Sequence, residues 1–317
     1  MTRIFQFIFD YAYDCFHHLW QSHHSPFSNL ASKLGYQIII TAHTLEKGLS
    51  LPVPRTLFGL EKIKQLCALL ARYPTNADPF PVAMALGAID GYTAFHRSAG
   101  IANPLLDDLD VCVRRISGER KVKPCGGIKS VHGVNQAVKD KTLTYSDFIA
   151  SRYSSRWFQA VVIPGELINK IVEVALRCPS QCNRQGTRLH FYNEPTRIQS
   201  LLELQGGGKG FSQYVTSLFL VTYDAIAWGG SGQRNQGYID ASLLAMSLIY
   251  ACHAEGIASC PLNLAVSIRR ELLIKQMGKV PSNERVVMMI AVGFPDNNAG
   301  VAAMSMRRTV EKVLVLH

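Results

Sequence analysis

Long hydrophobic runs are scarce in this chain. The most apolar opening stretch, Ile4 to Trp20, is broken by Asp10, Asp14 and a pair of His. It falls short of the roughly 20 apolar residues that a membrane span needs. Peripheral contact with a membrane surface is left open, but packing on protein is the favoured expectation. Cysteine is irregular: eight residues, with Cys178 and Cys182 one position too far apart for Cys-x-x-Cys and no cluster of zinc spacing. With no removable leader in view, reduced thiols and a cytoplasmic location are expected. The pairs His17-His18 and His23-His24 read as surface residues, so no metal is expected. An internal repeat is lacking too. Gln205 to Gly210 imitates a phosphate loop, but Glu203 stands where Gly is required and Gly210 replaces the Ser or Thr.

What is present describes a folded protein. Of 317 residues 48% are hydrophobic and 18% charged, which excludes a disordered chain and allows one large or two modest domains. The net charge of +10 is uneven: residues 111–156 hold ten Lys and Arg against three acids, residues 1–110 eight against nine. The basic stripe has no interleaved aromatics and no recognition motif, so nucleic acid is not an expected partner.

The first half reads as helical. Tyr36 to Ser50 contains Ile38, Ile39 and Ile40, then His43 to Gly48, with Gly48 as a stop and Pro52 and Pro54 beyond it. Leu60, Ile63, Leu66 and Leu70 repeat at helical spacing, and further helices are expected over 81–94 and 104–113. Residues 1–115 form the expected helical domain. Residues 116–144, rich in Gly and Lys, form a basic connector, and 145–317 a second domain. That second domain alternates. Helices are expected at 164–177, in a short piece ending near Leu204, and at 238–255. Strands are expected at 189–192, 217–223 and 286–292. The helix from Tyr238 to Glu255 is apolar on nearly every side, hence central. Its Ala241, Ser242, Ala245 and Ser247 would suit a close dimer seam.

Two polar stretches carry chemistry. Arg152, Ser154 and Arg156 offer forked cations and hydroxyls to a phosphate. After the next helix, Pro179, Ser180, Asn183 and Gln185 offer hydrogen bonds to a planar, heteroatom-edged ligand. This pair of motifs, an Arg-x-Ser-x-Arg turn and a Pro-Ser-x-x-Asn-x-Gln loop, resembles the nitroreductase family of FMN-dependent oxidoreductases. A turn at Gly256 to Asn263 and Val292-Gly293-Phe294-Pro295 with Arg307 and Arg308 behind it extend the resemblance over about half the chain. In the first half, His43 to Gly48 is similar to nitroreductase-like proteins associated with surface-polysaccharide synthesis.

The resemblance implies an α+β fold, a mixed sheet flanked by helices, preceded here by the helical domain. It implies FMN held by Arg152, Ser154, Arg156, Pro179, Ser180, Asn183, Gln185, Pro261, Leu262, Asn263, Arg307 and Arg308, with Pro261 to Asn263 lying against the reactive face. It further implies a homodimer with FMN at the subunit interface, NAD(P)H or an organic molecule as electron donor, a small-molecule acceptor, and no obligatory catalytic side chain. Departures are Gly186 and Thr187 in place of Pro-Trp, Tyr153 in place of a basic residue, Leu264 in place of Gly, and Cys178 in place of Ala. The alternative function is a non-catalytic, partner-binding protein of an envelope or polysaccharide assembly, with the helical half as its working surface and expected to cover the flavin domain otherwise.

Overall fold

The computed structural model describes residues 2–22, 25–296 and 300–317; His23 and His24 lie outside them. In chain order the helices and strands are α1 (Thr2–Gln21), α2 (Leu30–Leu49), α3 (Leu60–Arg72), α4 (Phe80–Ser98), α5 (Pro104–Arg120), β1 (Ile128–Ser130), α6 (Val134–Lys139), α7 (Tyr145–Ser151) and α8 (Gly165–Ala175). They continue as β2 (Thr187–Tyr192), α9 (Pro195–Gln205), β3 (Ser217–Asp224), α10 (Gln236–Ala254), β4 (Ala258–Asn263), α11 (Ile268–Gly278), β5 (Glu284–Gly293) and β6 (Val301–Ala303). The fold is α+β. Two compact units divide it, one of residues 14–130 with 301–317, the other of residues 1–13 with 131–300.

The first unit is built on α2 to α5. Asn29 starts α2 by accepting from the Ser32 amide, and Asn103 starts α5 by accepting from Leu105, with Pro104 behind it. Ile38, Leu45, Leu66, Leu86, Ile89 and Tyr92 form the centre of the core, each fully buried. One carboxylate sits inside it. Glu46 is inaccessible and accepts from the Gly127 amide at 2.9 Å, while the His43 Nδ1 stands 3.4 Å away. The segment before Gly127 lies so close on α4 that a Cβ at Gly87 would come within 2.4 Å of the Cys125 carbonyl carbon.

The second unit carries a four-stranded sheet in the order β2-β3-β5-β4, antiparallel throughout. A single parallel bridge, Ser154 to Ser259, adds a fifth segment on the β4 side and makes the edge mixed. Central β3 is buried on both faces along nearly all its length. Helices α8 and α10 cover one face, where Ile171, Leu244, Leu248, Phe219, Ile290 and Val292 meet. Burial of this apolar surface is the main term holding the unit.

Several expectations change. Gly256 to Asn263, read as a turn, becomes strand β4 once Gly256 has ended α10 at φ +69°. The connector 116–144 is structured: α5 runs to Arg120, and β1 and α6 follow. The tail after Val301 does not stay with the sheet unit, because β6 pairs antiparallel with β1, Ile128 opposite Ala303. On α10, Ala241 and Ala245 face the unit's own core, while Ser242 is exposed on the outward face with Tyr238, Ile239, Leu243 and Met246. Helix α1 turns its polar side in, Asp10 accepting from the Ser231 hydroxyl. Phe5, Ile8 and Phe9 point outward and are largely exposed, as is Phe16, which stacks on Trp20 of the same helix. No helix among the described residues is long and apolar enough to cross a membrane.

Candidate functional site

The arginine turn leaves α7 and is laid along β4. The Ser155 amide donates to the Ser259 carbonyl at 2.9 Å, and Gln159 continues the contact by donating from its amide to Phe294 and from Nε2 to Pro295. At the turn's start the Ser151 hydroxyl stands 2.7 Å from His253 Nε2, at the end of α10, and Phe148 packs on the same imidazole. His253 is 7% exposed. Its burial, with the Arg152 charge beside it, pushes its pKa down to about 4, so the ring is neutral near pH 7. Arg152 is half-buried; Arg156 is 5% exposed and belongs to the interior.

The polar loop follows α8 and is held from the other end of α10. Asp240, 2% exposed, accepts from the Gln181 amide at 3.0 Å and from Gln236 Nε2 at 2.7 Å. The Ser180 hydroxyl closes the loop by accepting from the Gln185 amide at 3.1 Å. Arg184 Nη1 donates at 3.0 Å to both the Ala227 carbonyl and Gln233 Oε1. Three non-glycine residues within five positions take left-handed backbone: Cys182, Asn183 and Gln185, at φ 51°, 52° and 52°. Each such residue costs roughly 1–2 kcal/mol, and clusters of this strain collect at ligand sites. Gly186 then passes so near the ring of Trp228 that a Cβ there would stand 2.9 Å from it. Asn183 and Gln185 are exposed. Gln181 Oε1 and Trp228 Nε1 are enclosed without a hydrogen-bond partner among the described residues.

Pro261, Leu262 and Asn263 end β4, the same strand that carries the arginine turn on Ser259; Leu262 is buried, while Pro261 and Asn263 are exposed. The Asn263 carbonyl accepts from Gln205 Nε2 at 2.9 Å. Arg307 and Arg308 belong to the helical unit. There Arg308 is ion-paired with Asp78 and lies across the Phe80 ring, and Arg307 donates to the Ser305 carbonyl. Ten of the twelve residues expected at the cofactor lie in the sheet unit, with the arginine turn and the polar loop at opposite ends of α10, and the two tail arginines are engaged within the other unit.

Two positioning residues, His253 and Asp240, lie outside the stretches that the sequence singles out, whereas Ser151 opens the arginine stretch itself. A signal existed for Asp240, an acid inside a helix that is otherwise apolar on nearly every side; a buried charge there needs partners. No metal-binding group of three or more His, Cys, Asp or Glu occurs among the described residues.

A family model described as the nitroreductase family matches residues 149–209. No curated protein matches the chain. Solved structures similar to it include an FMN-dependent nitroreductase of Clostridium difficile R20291 (22% identity, TM-score 0.42, 47% of this chain and 86% of that one). Others are an NADPH:FMN oxidoreductase of Vibrio harveyi complexed with NAD+ (17%, 0.47, 54% and 76%) and a nitroreductase family protein of Clostridium novyi NT (18%, 0.43, 50% and 88%). The matched span contains both the arginine turn and the polar loop, and on that span the resemblance to the nitroreductase family is supported.

Proposed function

We propose that this chain is an FMN-dependent oxidoreductase. The observation that carries the reading is the pairing, on one helix, of a braced arginine turn with a strained loop whose Gln181 Oε1 is enclosed and unpartnered. A ligand with hydrogen-bond donors and acceptors at a planar edge and a phosphate at its far end has use for both. In this reading Arg152 and Ser154 hold the phosphate, with buried Arg156 bracing the turn from inside. Ser180, Asn183 and Gln185 hold the polar edge against the Pro179 bend, and Pro261, Leu262 and Asn263 wall the reacting face. Arg307 and Arg308 are left out, because Arg308 already has its carboxylate. When bound, FMN supplies two-electron transfer between NAD(P)H, or an organic donor, and an organic acceptor. The protein's part is to orient it and keep water out.

The working form is a homodimer. At a rise of about 1.5 Å per residue, Asp240 and His253 lie about 20 Å apart along α10. A two-fold axis across the outward face of Tyr238, Ile239, Leu243 and Met246, which lines a groove of 610 Å³, sets two copies of α10 antiparallel. Each loop then meets the partner's arginine turn. Purified protein loaded with FMN should be yellow, sediment as a dimer, and bleach on addition of NADH or NADPH without oxygen. A yellow dimer that neither nucleotide bleaches favours the non-catalytic alternative. A colourless protein after loading overturns the flavin reading altogether.

A further inference from the structure

The helical unit holds a cavity of 440 Å³ that the flavin reading leaves unused, a volume within the range of small-molecule sites, about 300–1,000 Å³. Its floor is apolar, from Phe80, Ala83 and Val122. Its rim is cationic: Lys121, Lys123, Lys312 and Arg308 face it, and the one acid among the lining residues is Asp78. Arg308 lies with its guanidinium carbon 4.9 Å from the centroid of the Phe80 ring and reaches Asp78 through Nη1. Burial pushes the Asp78 carboxyl up, but the Arg308 hydrogen bond, the Phe80 amide and the charge of Lys312 hold it below the usual range.

The C-terminus of α5 accounts for Lys121, which closes that helix in left-handed conformation and meets the negative end of its dipole. It does not account for Lys123 or Lys312, which come from the strand-ward segment and from the tail. Four cationic residues, from the stretches 121–123 and 308–312, line an apolar floor beside one carboxylate, a charge balance that favours an anionic ligand. The floor already stacks a planar cation on a ring, the geometry that receives flat groups.

We propose that this cavity binds a small ligand consisting of a planar apolar ring that bears an anionic group, a phosphate or a carboxylate. The ring lies against Ala83 and Val122 beside the part of Phe80 that Arg308 leaves uncovered, and the anion takes Lys121, Lys123 and Lys312. This site is independent of the flavin assignment.

Calorimetric titration of the full chain at low ionic strength with 1-naphthyl phosphate, 1-naphthoate and inorganic phosphate tests it. At least one naphthyl compound should bind tenfold or more tightly than inorganic phosphate, and the tighter of the two identifies the anion. Lys121→Gln with Lys123→Gln should weaken that binding at least tenfold, and Phe80→Leu should reduce the advantage over inorganic phosphate. Flavin content read by absorbance on the same samples should not change, so each reading stands or falls alone. Naphthyl compounds binding no better than inorganic phosphate, or equally well to the double variant, would overturn the proposal.

Discussion

The arginine turn at 152–156 and the polar loop at 180–185 are both rich in hydrogen-bonding groups and hang from opposite ends of α10, yet they are made rigid by different means. The turn is braced from outside: a sheet bridge to Ser259, an imidazole under Ser151, and an arginine folded into the interior. The loop is braced from within, by Ser180 on the Gln185 amide and one buried carboxylate beneath it, and it retains left-handed strain. A charged ligand group needs a fixed cation, whose burial the fold must compensate by partners. A neutral polar edge needs amides and side chains held at particular angles, which backbone strain provides at small cost. The two segments divide along the chemistry each is suited to meet.

The largest expected effect is on the turn's support. The His253 pKa is depressed in the folded protein, so between about pH 6.5 and 4 the unfolded chain binds the extra proton. The stability this neutral ring contributes is complete above pH 6.5 and is lost as pH falls toward 4. The span amounts to about 3 kcal/mol at 1.36 kcal/mol per pH unit. Urea unfolding across this range should show a slope that His253→Gln flattens; an equal slope in the variant removes His253 from the account.

Next comes Arg152→Ala. Loss of a charge-assisted partner at roughly 1.5–3 kcal/mol should weaken FMN about ten- to a hundredfold by equilibrium dialysis. The same change should move the His253 imidazole, followed by NMR, back toward its ordinary pKa, since Arg152 is one of the causes of its depression. Unaltered flavin affinity would detach the turn from the phosphate.

For the loop, Asp240→Asn should cost roughly 1.5–3 kcal/mol, the worth of a hydrogen bond to a charged acceptor, and should loosen Gln181 in hydrogen exchange while leaving Ser155 protected. Equal loosening of both segments would end the distinction between them. The smallest effect is expected from Cys182→Gly, which relieves a left-handed side chain. A gain of up to about 1 kcal/mol in thermal unfolding, with weaker flavin binding from the more pliant loop, fits strain held for a ligand. A loss of stability does not.

Much of this was legible. The helical stripe over Ile63, Leu66 and Leu70 states its period in sequence, and the run at 217–223 and the helix at 238–255 declare themselves by continuous apolar character, because elements buried on all sides need it. The two polar stretches were visible as compositions. Strand β4 was not: Pro261 and Asn263 are poor strand residues, tolerated because β4 is an edge strand whose outer side accepts a missing donor. Nor was the fate of the tail, since the match of Ile128 with Ala303 depends on residues far apart in sequence. For Arg308 the family resemblance implied a cofactor contact; its carboxylate, Asp78, is far away in the chain and carries no local mark. The dimer seam was read on the small residues of α10, whereas Ala241 and Ala245 fill the space against the protomer's own sheet.

The short pairing of β1 with β6 has a consequence for how this chain can be taken apart. Ser130 stands opposite Val301 in that ladder, and the Val131 amide donates to the Gly300 carbonyl at 3.1 Å. Residues 131–300 thus leave and rejoin the helical unit at neighbouring points, like a bead tied into a closed loop of string. Cutting at 144 would strand β6 without its mate, and cutting at 115 would break α5 and part the β1–β6 ladder from α2 to α4. Excising the bead, trimming residues 1–13 that belong with it, and sewing Ser130 to Val301 with a short Asn-Gly hairpin would keep both strands, and the helical unit could then be prepared alone.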